Sequence, residues 1–308
     1  MSVRAAQAGG HGNRRDKARP WLLKGADLVG RTTGRLRVLP DLLICGGQRC
    51  GTTSMYKALV QQPTVFRPVW RKGVHYFDVA YDHDLSWYRA HFPLKAQLDL
   101  AERRHGVRPI AFESSPYYLF HPRALDRIAS DLPEVRVLVL VRDPVERAQS
   151  AHAHELARGF ETLDFVSALN AEEDRLRGEH ERMNRDPNYV SRAHRHQAYR
   201  TRGEYVRQLD RLGQLIGRER IKVVDSHRFF AEPETVYEDV LTWLGTTAVR
   251  TPQFDQHNAR DRSHMPSNVR RELEDHFAPY DARLEPWLGH VPTWRTTQRT
   301  SMIDVGTP

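Results

Sequence analysis

The sequence predicts an α/β protein, with a central, mostly parallel β-sheet flanked by helices in three layers, on three observations. Residues 135–141, VRVLVLV, form an unbroken β-branched and leucine run without polar alternation, the pattern of a strand buried on both faces of a parallel sheet. Apolar runs of strand length alternate along the chain with longer segments of helical period, the order expected of parallel strands joined by helical crossovers. The stretch 41–59, DLLICGGQRCGTTSMYKAL, passes from an apolar run through a glycine-containing polar turn into a helical pattern.

In chain order, residues 1–37 are rich in Gly, Ala and Arg and lack sustained period, so a flexible basic segment is expected there, with a short helix near 21–29. The main domain is expected over 38–296 and a C-terminal tail over 297–308. Within the domain the apolar runs 38–45, 109–112, 135–141 and 221–224 read as strands. Helices are expected at 53–61, 122–131, 145–158, 204–216 and 233–244, the last stopped by Gly245. The highly charged residues 172–195 read as a helix followed by a surface excursion, and no internal repeat is present.

At 308 residues the chain can bury a full core, and its 39% hydrophobic and 28% charged residues are those of an ordinary globular protein. Its formal net charge of +8 favours an anionic ligand or partner. The two cysteines, Cys45 and Cys50, are too few for a disulfide framework or a metal cluster and read as small packed thiols. No window has the eighteen apolar residues of a membrane helix, and the N-terminus lacks the apolar core of a secretory signal, so the expected location is the cytoplasm.

Strand, glycine turn and helix together form a geometry in which backbone N–H groups converge on an anion. Gly46 and Gly51 match the ends of the phosphate loop G-x-x-x-x-G-K-[ST], but its lysine position holds Thr52. A magnesium-organising Asp is expected at the end of a second buried strand, whereas 135–141 runs into Arg142. An Arg there faces the crevice where α/β sheets bind ligands, and its fork suits a phosphate. Asp143, followed by Pro144, reads as a turn or helix-start residue.

GGQRCGTTSMYKAL followed by VRDPVERAQSAH resembles the sulfotransferases that use 3′-phosphoadenosine 5′-phosphosulfate (PAPS), nearest to their bacterial and glycan-modifying branch. The resemblance continues through KGVHYFD, FESSPYYLFHP and YRTRGEYVRQL, and covers about residues 41–294. It implies a P-loop-like fold and a 5′-phosphosulfate loop formed by Arg49, Cys50, Gly51, Thr52, Thr53 and Ser54. It places the 3′-phosphate on Arg142 and Ser150, and a closing C-terminal loop with Arg260, and less directly Arg262, near the nucleotide. PAPS is then the sulfuryl donor, and no metal is expected.

Two departures bear on the chemistry. Arg49 stands where many members carry Lys, and a guanidinium stabilises developing charge but does not give up its proton. Where the glycan-modifying branch reads Lys-Glu-x-His, this chain reads Lys72-Gly73-Val74-His75, without the glutamate proposed as base. His75 becomes the leading base because an imidazole titrates near neutrality, with Glu113 as the other candidate and Lys72 as a further cation. His152 and His154 do not share a helix face, so a metal site there is not expected. Of the aromatics Tyr76, Phe77, Trp87, Tyr88, Tyr117 and Tyr118, two at most are expected to wall an acceptor pocket.

The expected function is metal-independent in-line transfer of the sulfuryl group to a hydroxyl or amine of a carbohydrate, lipid-linked or secondary-metabolite acceptor. The alternatives are a P-loop small-molecule kinase, a nucleotide-binding homologue without turnover, and an anion-binding protein that uses runs such as RAHRHQAYRTR, although such a run usually forms a solvated face. Nucleic acid is not expected as a partner. Peripheral membrane contact of the basic N-terminal segment and the oligomeric state stay open.

Overall fold

The computed structural model describes residues 32–69, 71–254 and 265–296. The expected helix near 21–29, the C-terminal tail, Arg260 and Arg262 lie outside them. Five strands make one sheet: β1 (Leu42–Gly46), β2 (Val65–Phe66), β3 (Ile110–Ser114), β4 (Arg136–Val141) and β5 (Ile221–Asp225), in the order β2-β3-β1-β4-β5 with every pairing parallel. β1 and β3 are buried at every position, and β4 at all but its first, which is why these segments carry no polar alternation. Pro40 lacks an amide to give to a ladder, so β1 starts at Leu42 rather than at 38.

The crossovers supply the outer layers. Helix α1 (Thr52–Leu59) leads to β2. Helices α2 (Tyr76–Val79), α3 (Leu85–Arg89) and α4 (Lys95–His105) lead to β3, and α5 (Ala124–Asp131) leads to β4. Between β4 and β5 come α6 (Pro144–Ala157), α7 (Phe165–Leu176), α8 (Glu179–Arg185), α9 (Arg192–His196) and α10 (Tyr205–Ile216). Then follow α11 (Ser226–Ala231), α12 (Pro233–Leu244), α13 (Ser267–Asp281) and α14 (Glu285–Leu288). α10 buries Tyr205, Val206, Leu209, Leu212 and Ile216, a single stripe at helical spacing laid on the sheet. A second cluster packs Val145, Ala148 and Ala151 of α6 against Phe165 and Leu169 of α7 and Leu273 and Phe277 of α13.

The charged run at 172–195 is a helical end followed by a mostly exposed stretch through 190, as expected, but from Ser191 the chain turns inward. α7 already begins at Phe165, capped by Asp164, and the stretch that follows α8 buries Ser191, His194, Ala198, Tyr199 and Arg202. Arg202 goes inward because it finds partners there, donating to the carbonyls of His194 and Arg195 at 3.0 and 2.9 Å. No helix among the described residues is long and apolar enough to cross a membrane.

β1 lies between β3 and β4, so the chain leaves it in opposite directions and a crevice opens beyond its carboxyl end. Asp143 starts the helix that borders this crevice. Its carboxylate accepts from the amides of Val145 at 2.9 Å and Glu146 at 3.4 Å, with Pro144 at the first helical position. Asp143→Ala should therefore lower unfolding stability by about 1 kcal/mol, measured by denaturant titration, which is the loss of a helix cap.

Candidate functional site

The turn 47–51 continues β1 into the crevice and is fastened on several sides. The Gly47 amide donates to the Leu140 carbonyl of β4 at 2.6 Å. The Gln48 side chain donates to Glu155 of α6 at 2.9 Å and accepts from the buried Arg202. The Ser226 hydroxyl at the start of α11 donates to the Cys50 carbonyl. The Cys50 thiol sits 3.4 Å from the Tyr205 hydroxyl and is pushed up in pKa by burial, so both cysteines are packed side chains.

Arg49 and Gly51 both adopt left-handed backbone, at φ 69° and 82°. No side chain caps α1, and among the described residues the amides of Gly51, Thr52 and Thr53 donate to no acceptor. These N–H groups lie at the positive end of the helix dipole, which suits them to an anion.

The structure joins this turn to the second expected anion point. Arg49 Nε donates to the Ser150 hydroxyl on α6 at 3.1 Å. Arg142 follows the last residue of β4, and Tyr205 donates to its carbonyl at 3.0 Å. Its guanidinium has one ion-pair partner among the described residues, Glu146 at 3.7 Å, and Glu146 is itself gripped by Arg270 at 2.6 Å. Arg142 is thus loosely held beside Ser150's helix, available to a stronger anion.

The segment 72–76 forms the opposite wall. The Ser114 amide at the end of β3 donates to the Lys72 carbonyl at 3.2 Å, so this segment lies against the sheet edge. A Cβ at Gly73 would overlap the Ser114 carbonyl oxygen and the Ser115 hydroxyl. The position therefore accepts glycine and not the glutamate of the Lys-Glu-x-His pattern.

Three successive amides then go to three side chains: Val74 to Glu113 Oε2 at 2.5 Å, His75 to the Ser115 hydroxyl at 3.3 Å, and Tyr76 to the Tyr118 hydroxyl at 2.9 Å. This grip holds His75 at φ 59°. Among the described residues His75 and Arg49 are the non-glycine positions with positive φ, a strained conformation that persists where surrounding contacts fix it.

Glu113 is the centre of that grip. It is fully buried, and besides Val74 it accepts from the hydroxyls of Tyr88 and Tyr118 at 2.8 Å and of Ser115 at 3.1 Å. Burial pushes its pKa up while these donors oppose the shift. With its oxygens taken, Glu113 braces the wall.

His75 is placed differently. Its Nδ1 lies 2.8 Å from Asp78 Oδ2, and the carboxylate is buried while about 34% of the imidazole is exposed. A proton on Nδ1 facing the carboxylate leaves the lone pair on Nε2, the arrangement of a base held in one tautomer. Asp78 carries no distinctive motif, and its one sequence signal is a carboxylate three residues after the histidine in HYFD. Lys72 crosses back to the first wall and donates from Nζ to the Thr53 hydroxyl at 3.1 Å, and burial lowers its pKa to about 8.

The candidate aromatics mostly serve the core: Phe77, Tyr88 and Tyr118 are fully buried, and Tyr76 and Tyr117 nearly so. His152 is also structural, 2.8 Å from the Leu163 carbonyl.

The sulfotransferase domain family matches residues 39–257, most of the chain and both walls of this crevice. The chain belongs to the sulfotransferase family. The solved structure of a sulfotransferase from Alicyclobacillus acidocaldarius superposes with a TM-score of 0.60 at 28% identity, over 82% of this chain and 97% of that one. The bifunctional heparan sulfate N-deacetylase/N-sulfotransferase 1 of Caenorhabditis elegans is 25% identical over 83% of this chain and 31% of its own length. The mouse heparan sulfate glucosamine 3-O-sulfotransferase 6 is 34% identical over 46% of this chain and 39% of its own. This sulfotransferase chain thus spans well under half the length of the curated relatives it matches.

Two substitutions test the wall. Gly73→Ala should cost about 1–3 kcal/mol of stability by forcing a methyl against the backbone of β3, as measured by thermal or denaturant unfolding. Glu113→Gln turns one acceptor into an amide facing donors. It should cost a similar amount, about 1–3 kcal/mol, and broaden the amide signals of residues 74–76 in NMR spectra.

Proposed function

We propose that the protein transfers the sulfuryl group of PAPS to a hydroxyl or amine of a small-molecule or glycan acceptor. The hydrogen bond from Arg49 to Ser150 carries this reading, because it joins the residues that the family resemblance assigns to the 5′-phosphosulfate and to the 3′-phosphate in one crevice. The chemistry of the donor set fits such a nucleotide. Unpaired first-turn amides, the hydroxyls of Thr52 and Thr53, a guanidinium at Arg49 and a loosely paired Arg142 all suit phosphate oxygens. PAPS supplies an activated sulfuryl group whose leaving oxygen belongs to a phosphate.

In this reading the residues divide the work. The amides of Gly51 to Thr53 and the Arg49 side chain hold the 5′ end and stabilise the charge left on the departing phosphate oxygen. Arg142 and Ser150 hold the 3′-phosphate. His75 Nε2 takes the proton of the acceptor hydroxyl or amine, with Asp78 fixing the tautomer and stabilising the imidazolium that results. Glu113 keeps His75 in place. The acceptors named for the curated relatives, heparan sulfate among them, and the +8 net charge support an anionic glycan as one acceptor class.

Arg142→Ala should weaken adenosine 3′,5′-bisphosphate roughly 10- to 100-fold and leave adenosine 5′-monophosphate nearly unchanged in calorimetric titration, the loss of a charged hydrogen bond to the 3′-phosphate alone. Equal losses would remove the 3′-phosphate from Arg142. His75→Ala and Asp78→Asn should lower the turnover number by about 10²–10⁴-fold with bisphosphate affinity retained. Retained turnover in His75→Ala would move the base elsewhere.

A further inference from the structure

Lys72 differs from Arg49 and Arg142 in that its amine can lose its charge, whereas their guanidinium groups stay charged. Its ammonium lies 3.1 Å from the Thr53 hydroxyl at the first turn of α1 and 5.4 Å from the centroid of the Tyr56 ring. Neither partner is a carboxylate, and none of the ion pairs among the described residues includes Lys72. Around it lie Thr53 and Tyr56 on α1, with Arg67 bonded to the Tyr56 hydroxyl, Glu113 next to the Ser114 whose amide holds the Lys72 carbonyl, and His75 and Asp78 farther along its own segment. Glu113 is shared among four donors, and Asp78 serves His75. An ammonium so placed is desolvated with a neutral hydroxyl and a ring face to offset it, and gains a charged partner when an anion enters the turn.

We propose that Lys72 is the titrating cation of the donor site, and that loading the anionic nucleotide draws one proton from solvent onto its Nζ. The proposal rests on the sulfotransferase reading of the turn. With the site empty, burial brings the Lys72 pKa to about 8, so above that pH much of the side chain is the neutral amine. A phosphate beside Thr53 favours the charged form and raises the pKa. The bound state therefore holds more protons than the free state, and affinity falls as pH rises above 8. Each binding event converts amine, nucleotide and one buffer acid into an ammonium–nucleotide pair and the buffer base. The other buried groups of the turn do not titrate in this window, because burial pushes Tyr56 and the Cys50 thiol upward.

The test is calorimetric titration of the protein with adenosine 3′,5′-bisphosphate from pH 6.5 to 9, run at pH 9 in two buffers of different ionisation enthalpy, for the native protein and for Lys72→Arg and Lys72→Gln. The native protein should show a buffer-dependent enthalpy equal to nearly one proton taken up at pH 9, with affinity dropping by up to about tenfold per pH unit above 8. Both variants should bind with no buffer dependence at pH 9, and Lys72→Arg should hold its affinity flat above pH 8, where the ligand's phosphates are fully ionised. Native binding with equal enthalpy in the two buffers, or uptake that persists in the variants, overturns the assignment to Lys72 while leaving the donor reading intact. Absence of bisphosphate binding to the native protein at every pH overturns the donor reading and this inference with it.

Discussion

The site depends on one constraint, the fixing of the turn 47–51 over the carboxyl end of the sheet. Left to itself a turn with Arg49 in left-handed backbone would relax, because a non-glycine residue gains nothing from that conformation. Bonds from Leu140 on β4, Glu155 on α6, Arg202 before α10 and Ser226 at the start of α11 hold it instead. The result is a short helix whose first amides are left open beyond the carboxyl end of β1. The hydrogen bond from Arg49 to Ser150 then couples this turn to the helix that carries the second anion point. Glu146 beside Arg142 offsets part of its charge, and in the proposed function a nucleotide phosphate replaces that loose pair with a tighter one.

The opposite wall solves a separate problem. Gly73 leaves no space for a side chain, so in the proposed function the base is sought elsewhere on the segment. The buried Glu113 does the work of a brace, ordering three hydroxyl groups and one amide so that His75 is held in a strained conformation beside its partner Asp78. A carboxylate that in a polar crevice could act as base is here turned inward and saturated with donors. In the proposed reading, chemistry falls to His75 and support to Glu113.

Much of this was legible in the sequence, for physical reasons. The strands of a doubly covered parallel sheet are apolar at every position, so 135–141 and 221–224 stood out, and Gly245 ended its helix in left-handed backbone as expected. β2, only two residues long, gave no pattern to read. Helix α4 buries little beyond Leu98 and Ala101, too sparse a stripe to show a period. The run 192–202 around α9 misled because charge alone does not reveal buried partners: Arg202 finds the carbonyls of His194 and Arg195, and the His194 ring finds the Tyr117 hydroxyl. The turn residues and Arg142 could be proposed as a site because a motif singles them out in the sequence. Asp78 and Gln48 were not, since their roles arise from contacts with residues distant in sequence or from a local turn that periodicity does not encode.

The central claim is that this crevice is built for a nucleotide with a phosphate at each end of its ribose. It is tested most directly by comparing adenosine 3′,5′-bisphosphate with ATP on the unmodified protein, with and without magnesium, by calorimetric titration at neutral pH. The account requires bisphosphate to bind in a saturable one-to-one manner, independent of magnesium, and more tightly than ATP. Preference for magnesium-ATP would contradict it, and would mean that the turn at 47–51 holds the phosphates of a different substrate.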